Sequence, residues 1–242
     1  MSSEILMRMF AEVGAIVTGS HIVYTPKDTG WHHGEAYVNK DVISMHPKLL
    51  ALCAREMADR IKDHSLENIN APAKFLESIQ AVASPAAGAV GWGQMLAHEL
   101  CRFTIPEPLY VFAEKAPHPT KEGDHIFTFR DIHKQALKGK GVLIAEDISN
   151  PGTSARKVAE AVEACGGKVV GVSVLCNRSG QKAHEYLSPY PLLAVTEVDM
   201  TMWHEDECPL CLKGIPLNKT LGKAKDWLAT EKGKAWANRF QE

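Results

Sequence analysis

The stretch Gly141-Val-Leu-Ile-Ala-Glu-Asp-Ile-Ser-Asn-Pro-Gly-Thr-Ser154 decides the fold. Val142 to Ala145 follow the turn-forming Lys138-Gly-Lys-Gly141 and read as a buried strand. Glu146 and Asp147 close the apolar run, and Pro151-Gly152 breaks the chain. Thr153 or Ser154 is the expected N-cap of a helix on which Val158, Ala161, Val162 and Cys165 recur at helical spacing. Gly166-Gly167 ends that helix, and Lys168 to Cys176 supplies a second apolar strand. The product is a βαβ unit with two carboxylates at the carboxyl end of its first strand, where open α/β sheets bind ligands. Backbone amides of Ser149 to Ser154, with the helix N-terminus, form a cradle suited to a phosphate. Acids beside such a cradle suit a phosphorylated sugar, meeting its vicinal hydroxyls or Mg²⁺.

Outward from this unit, the pattern alternates. Residues 1–16 read as a helix with Ile5, Met9, Phe10, Val13 and Ile16 on one side. Short strands are expected at His21 to Tyr24 and Ala36 to Asn39, around the polar excursion Thr25 to Glu35. A helix follows over Pro47 to His64, and a strand over Ser78 to Ala83. The small-residue turn Ser84-Pro-Ala-Ala-Gly88 then leads into a helix ending at Leu100. Leu109 to Ala113 is a strand. Glu114 to His125 is too polar and broken for a core element, and Phe127 to Phe129 forms a short strand. Such alternation predicts an α/β fold, a mostly parallel central sheet flanked by helices. We expect one domain, with a hood near 13–45, a core near 46–200 and a carboxyl-terminal extension near 201–242. Trp227, Leu228, Trp236 and Phe240 mark the last segment as an amphipathic helix that packs on the body or on a partner chain.

Composition narrows the classes. With 242 residues, 45% of them hydrophobic, the chain can bury a sizeable core. A net charge of −2 argues against bulk attraction to nucleic acid or membrane surfaces, and no nucleic-acid or membrane partner is expected. Glu4, Arg8 and Glu12 interrupt the first residues, so no signal-peptide core is seen there. Six cysteines, four of them in apolar elements, read as reduced core residues, and a cytoplasmic protein is expected.

The 141–154 segment resembles the signature of type I phosphoribosyltransferases: hydrophobic strand, two acids, small and hydroxyl residues, then Gly-Thr. Asn150, Pro151 and Glu146 depart from the commoner residues, and Pro151 withdraws one amide from the cradle. Ser84-Pro-Ala-Ala-Gly88 resembles the family's pyrophosphate loop, and Glu114-Lys115 stands where orotate enzymes of this family carry Arg-Lys before a closing loop. Lys121 is a second candidate loop cation. Arg178, just past the second strand, resembles the arginine that holds a carboxylated base. The segments His21 to Tyr24 and Gly34 to Asp41 resemble the family's hood. The longer Pro26 to His33 insert between them offers Trp31 as a stacking candidate or an exposed loop aromatic.

The resemblance, spread from residue 13 to 222, implies transfer of ribose 5-phosphate from phosphoribosyl pyrophosphate to a heterocyclic base, orotate or an orotate-like pyrimidine first among them. It implies Lys115 and Asp147 as catalytic groups. Glu146, Asp147, Ser149, Asn150, Gly152, Thr153, Ser154, Ser84, Ala86, Ala87 and Gly88 would bind phosphoribosyl pyrophosphate, and Arg178, Tyr37 and Lys40 the base. Mg²⁺ would sit on Glu146 and Asp147 with the substrate, and a homodimer is implied. The rival reading is a non-catalytic regulator that senses phosphoribosyl pyrophosphate on the same fold. A further motif, Cys208-Pro-Leu-Cys211 with His204 upstream, is half of a zinc site, Cys176 or His184 completing it. A plain reduced turn is the expectation there, with a zinc-dependent interaction module as the third reading.

Overall fold

The computed structural model describes residues 3–26, 29–67, 74–198 and 200–240. Lys27 and Asp28 of the expected excursion, and the extreme ends of the first and last expected helices, lie outside the described residues. In chain order, α1 (Ser3–Glu12) is followed by β1 (Ile16–Val23), β2 (His32–Val38), α2 (Lys40–Met45), α3 (Pro47–Glu67) and α4 (Lys74–Ser78). Then come β3 (Ala81–Pro85), α5 (Val90–Leu100), β4 (Leu109–Pro117), β5 (His125–Thr128) and α6 (Asp131–Leu137). β6 (Gly141–Ser149), α7 (Thr153–Ala164), β7 (Lys168–Asn177), α8 (Gln181–Leu187) and β8 (Leu192–Glu197) complete the alternating region. The last elements are β9 (Met202–His204), α9 (Pro209–Leu212), α10 (Ala224–Leu228) and α11 (Glu231–Phe240). No helix among the described residues is long and apolar enough to cross a membrane.

Two compact units emerge, one from residues 1–9 and 40–198, the other from 10–39 and 199–242. The first holds a six-stranded sheet in the order β5-β4-β3-β6-β7-β8. Every neighbouring pair is parallel except β4 and β5. From β3 the chain moves outward to β4 and β5, and from β6 it moves the other way to β7 and β8. The strand order therefore reverses between β3 and β6, which makes their carboxyl ends the natural crevice of such a sheet. Apolar strands bury this sheet: Ala81, Ala83, Val142, Ile144, Val172 and Val174 join one core with Val158 and Val162 of α7. Buried positions on α7 are Ala155, Val158, Ala159 and Val162, the spacing of one helical face. Ala161 and Cys165 pack only partly against that core.

Several expectations move. α1 stops at Glu12 and buries Leu6 and Phe10, whereas Ile5 is exposed and Ile16 already opens β1. Residues up to Ser78 are helical, and the strand expected there begins at Ala81. The polar segment after Ala113 does not break at once. β4 continues through Glu114-Lys115-Ala116-Pro117 because an antiparallel partner, β5, satisfies its backbone, with Lys115 opposite Phe127. Cross-strand pairing outweighs the composition of that stretch.

The second unit is built on a three-stranded antiparallel sheet, β1-β2-β9. Val23 pairs with His33 and His33 with Trp203. Trp227 and Leu217 are buried with Val23, Cys208 and Cys211, and Trp31 packs half-buried against them. Trp31 is thus a packing residue of this unit and not a loop aromatic left in solvent. The tail folds as two helices instead of one. Trp227 Nε1 donates to Glu205 at 2.6 Å and Trp236 Nε1 to the Cys211 carbonyl at 3.1 Å, so the tail packs on its own unit.

Candidate active site

β6 runs on past its neighbour. Its pairing with β3 ends at Ala83 and Ile144, whereas pairing with β7 continues to Ser149 and Asn177. β3 itself runs on to Pro85 against β4 and then gives way to the Ala86–Gly88 turn, whose Ala86 N–H donates to the Ala113 carbonyl at 2.8 Å. Glu146 and Asp147 are left beside that loop, on a strand edge that β3 no longer covers. Both are buried, at 4% and 7% exposure. Glu146 Oε1 accepts the Asp147 N–H at 3.0 Å, and its Oε2 is buried with no hydrogen-bond partner among the described residues. Asp147 Oδ1 accepts the Ile148 N–H at 2.6 Å, and Oδ2 meets the Lys40 ammonium at 3.0 Å.

Gly88 closes this arrangement. A Cβ there would collide with Asp147 Oδ2 and Lys40 Nζ, so any other residue would push the ends of the ion pair aside. Burial pushes the Glu146 carboxyl well above its ordinary range, with the neighbouring Asp147 charge adding to the effect. Burial opposes the charge on Lys40, but Asp147, and Asp41 at 3.2 Å, raise its pKa overall. The Ala87 and Gly88 amides make no hydrogen bond among the described residues.

The turn between β6 and α7 has its own requirement. Gly152 takes φ +118°, and a Cβ would sit 2.9 Å from Leu187 Cδ1, which accounts for the glycine. No side chain caps α7. Thr153 and Ser154 are its first helical residues and Gly152 holds the cap position, contrary to the expected hydroxyl cap. Uncapped N–H groups at a helix start attract an anion. Asn150 Oδ1 accepts Ser179 Oγ–H at 3.0 Å, and Ser149 Oγ is buried without a partner.

Arg178 donates its backbone N–H to the Ser149 carbonyl at 3.0 Å. Strand register sets it one position past the Ser149–Asn177 pair, beside the Asn150 turn and not opposite Asp147. Its Nε is buried with no hydrogen-bond partner among the described residues. Arg178 forms no salt bridge among the described residues.

Other expected residues are placed as follows. Ser84 Oγ shares a 2.6 Å hydrogen bond with Tyr110 and is fully buried against α5, so its hydroxyl serves packing and is not turned to a phosphate. Ala86 has already spent its amide on Ala113, leaving Ala87 and Gly88 as the open donors of the loop. Lys115 is exposed on β4, two residues beyond Ala113 and on the same strand face. Lys121 lies in the exposed turn between β4 and β5, its N–H held by His118 Nδ1 at 3.1 Å. Tyr37 belongs to the second unit, on β2 opposite Val17. His204 Nε2 faces the Thr29 carbonyl at 2.9 Å, His184 lies 3.6 Å from Glu197, and Cys176 is buried within β7, its thiol pushed up to about 11 by burial. None of these three stands with Cys208 and Cys211, which keep company with His21 and His33 instead. The Lys40–Asp147 pair had no sequence signal, since 107 residues separate its members (147 − 40).

Comparison with known proteins agrees with this geometry. Residues 41–210 match the phosphoribosyl transferase domain model. The orotate phosphoribosyltransferase of Caldicellulosiruptor saccharolyticus is 29% identical over 220 residues, covering 90% of this chain and 96% of that protein. The enzyme of the same name from a Thermoanaerobacter species is 26% identical over 219 residues, with 90% and 97% covered. Among solved structures, an adenine phosphoribosyltransferase from Thermoanaerobacter pseudethanolicus superposes with TM-score 0.54 at 20% identity, covering 78% of this chain and 99% of the other. An orotate phosphoribosyltransferase from Aeropyrum pernix gives 0.53 at 18%, with 80% and 93% covered. Those structures share the fold, a mostly parallel sheet flanked by helices. With its acids at the strand-order reversal and the family model spanning most of its length, this chain belongs to the phosphoribosyltransferase family, enzymes of the pentosyltransferase class.

Proposed function

We propose that this phosphoribosyltransferase transfers ribose 5-phosphate from phosphoribosyl pyrophosphate to orotate or an orotate-like pyrimidine, releasing pyrophosphate. The observation that carries the acidic acceptor is Arg178: a half-buried residue whose Nε has no partner among the described residues, at the end of the strand beside the candidate phosphate turn. A guanidinium in that state suits the bidentate capture of a carboxylate. The orotate name of the curated relatives supports the same acceptor.

In this reading Glu146 and Asp147 hold the ribose hydroxyls, and the start of α7 with Asn150 to Ser154 holds the 5-phosphate. The Ala87 and Gly88 amides receive pyrophosphate, and Lys115 reaches it from β4. Lys40 pairs with Asp147 and adds positive charge at the same point. The donor set suits Mg²⁺, a hard cation that takes carboxylate, hydroxyl and water oxygens, and Glu146 Oε2 has no protein partner. Glu146 and Asp147 would contribute to holding it, and when bound it supplies neutralising charge for the departing pyrophosphate. Ribosyl transfer develops positive charge on the sugar and negative charge on the leaving group, so positioning and electrostatics, not a strong nucleophile, are what the chain must provide.

Steady-state turnover of orotate, uracil, hypoxanthine and adenine by the wild type and Arg178→Ala tests the proposal. Orotate should be preferred, and the substitution should cost about 2 to 4 kcal/mol in kcat/KM for orotate and far less for the neutral bases. Preference for a neutral base, or indifference to the substitution, would remove orotate. Binding of phosphoribosyl pyrophosphate with no pyrophosphate released on any base would favour the sensing role instead.

A further inference from the structure

The second unit contains a group of side chains that phosphoribosyl transfer does not use. His21 on β1, His33 on β2, and Cys208 and Cys211 at the start of α9 bring four potential ligand atoms within 4.8 Å of one another. All four residues are buried, Cys211 the most exposed at 8%. We propose that they form a Cys₂His₂ structural Zn²⁺ site that ties the β1–β2 hairpin to the α9 segment.

The local folding explains the convergence. Val23 stands opposite His33 in the antiparallel pair, so the two project to one face of the sheet. His21, two residues before Val23, lies where the β1–β2 register shifts between Thr18 and Ile22, and its ring packs edge-on to that of His33 with centroids 5.1 Å apart. Cys208 caps α9 and Cys211 sits one turn inside it. The Cys211 N–H points to Cys208 Sγ at 3.5 Å, which brings both sulfurs to the same side of the turn.

The distances approach those the ion requires, the His33–Cys211 pair being shorter by about 0.5 Å. Zn–S bonds of about 2.3 Å and Zn–N bonds of about 2.0–2.1 Å at tetrahedral angles require neighbouring nitrogens about 3.3 Å apart and nitrogen–sulfur pairs about 3.6 Å apart. His21 Nε2 and His33 Nδ1 are 3.1 Å apart. His21 Nε2 lies 3.6 Å from each sulfur, and His33 Nδ1 lies 3.1 Å from Cys211 Sγ. Hydrogen bonding alone serves this cluster poorly. His21 Nδ1 faces the Ile215 carbonyl at 2.8 Å, and because a carbonyl only accepts, the ring proton is on Nδ1 and the Nε2 lone pair faces the cluster. Metal-bound histidines carry the same outer hydrogen bond, which fixes the tautomer and the ring plane.

The chemistry of the donors selects the metal class. Two thiolates and two imidazoles in tetrahedral array suit Zn²⁺, and oxygen-seeking Mg²⁺ or Ca²⁺ would find no carboxylate or carbonyl among the four. Four protein ligands leave no position for a substrate, so the role is structural. Such a staple sits beside a small apolar cluster: around the two cysteines, Val23, Leu217, Ala224 and Trp227 are buried, with further aromatics partly covered. His204, the upstream histidine of the motif, is committed to the Thr29 carbonyl and stays outside the set.

The full-length protein, purified without chelator, should carry one Zn²⁺ per chain by elemental analysis and native mass spectrometry. Cys208→Ser should reduce that content to a trace, and EDTA should lower the melting temperature of the wild type but not of the variant. If the variant fails to fold, the wild type decides the matter. Exchanged with Co²⁺, it should show the intense visible d–d bands of a tetrahedral site and a near-ultraviolet thiolate-to-cobalt band. Substoichiometric metal after supply of excess Zn²⁺, an octahedral Co²⁺ spectrum without the thiolate band, or a Cys208–Cys211 disulfide in the freshly purified chain would each overturn the proposal.

Discussion

The tip of β6 and the His-Cys cluster both bury polar groups, but they satisfy them in opposite ways. Around β6, Glu146 Oε2, Ser149 Oγ and Arg178 Nε are buried with nothing to bond among the described residues. Native interiors rarely leave such groups unpaired, because each costs on the order of 1–3 kcal/mol of desolvation. Three in one neighbourhood, beside two loop amides and an uncapped helix, are what the proposed substrate site would offer its ligand. In the cluster, the four ligand atoms face one another, and only His33 Nε2 is left over. A site that must release its product keeps open valences. A site that only holds the chain together closes on itself.

The largest test of this contrast is Gly88→Ala. The added methyl collides with both members of the Lys40–Asp147 pair, so the loop or the pair must shift by about an ångström. A displacement of that size near reacting groups costs about a hundredfold, and kcat/KM should fall by at least that much. The melting temperature without ligand should change little, and stabilisation by phosphoribosyl pyrophosphate with Mg²⁺ should be lost. Zinc content should stay at one per chain. Thermal scans with and without ligand, combined with metal analysis, separate the two regions, and loss of both properties together would erase the distinction drawn between them.

A smaller effect is expected from Lys40→Met. Breaking a fully buried ion pair costs several kcal/mol, but the Lys40 side chain is 33% exposed and its solvation discounts the interaction. A loss of about 1 kcal/mol in chemical denaturation is expected, with weaker binding of phosphoribosyl pyrophosphate as Asp147 loses its counter-charge. Unchanged affinity would show that Lys40 only steadies the empty site.

How much of this could be read from the residues follows the range of each interaction. The βαβ unit was legible because its signals are local: an apolar run, a Pro-Gly break, helical spacing and a Gly-Gly stop. The extension of β4 through Glu114 to Pro117 was not, since its strand character comes from pairing with β5 and not from its own composition. Ser84 looked like a phosphate ligand by position, yet Tyr110, 26 residues away, captures its hydroxyl. Cys208 and Cys211 announced half of a metal site. Their companions, His21 and His33, lie 190 and 178 residues from Cys211, and nearby His204 was the wrong histidine because β9 turns it to Thr29. Side chains that meet across such separations carry no common pattern along the chain.

The smallest expected effect concerns pH, and it separates an open site from a closed one by sign. Burial and the Asp147 charge hold the Glu146 pKa well above the ordinary glutamate value of 4.5 in the fold, whereas the unfolded chain titrates near that value. A raised folded pKa gives stability that is fully present below the unfolded pKa and is lost as pH climbs through the folded one. The ligand-free protein should therefore lose stability as pH rises from about 4.5 through the raised titration of Glu146. Ligand binding should run the other way, because an ionised carboxylate holds Mg²⁺ and ribose hydroxyls better than a protonated one. Affinity for phosphoribosyl pyrophosphate with Mg²⁺ should strengthen over the same interval, by less than about tenfold per pH unit, the limit for one proton. The phosphates of the ligand also titrate, but they do so identically with Glu146→Gln. The difference between wild type and this variant, measured by calorimetry and by denaturation at each pH, isolates the glutamate. Two opposed slopes that both flatten in the variant are expected. Parallel slopes, or slopes that survive the substitution, would show that Glu146 is a buried structural acid and not an open position held for the substrate.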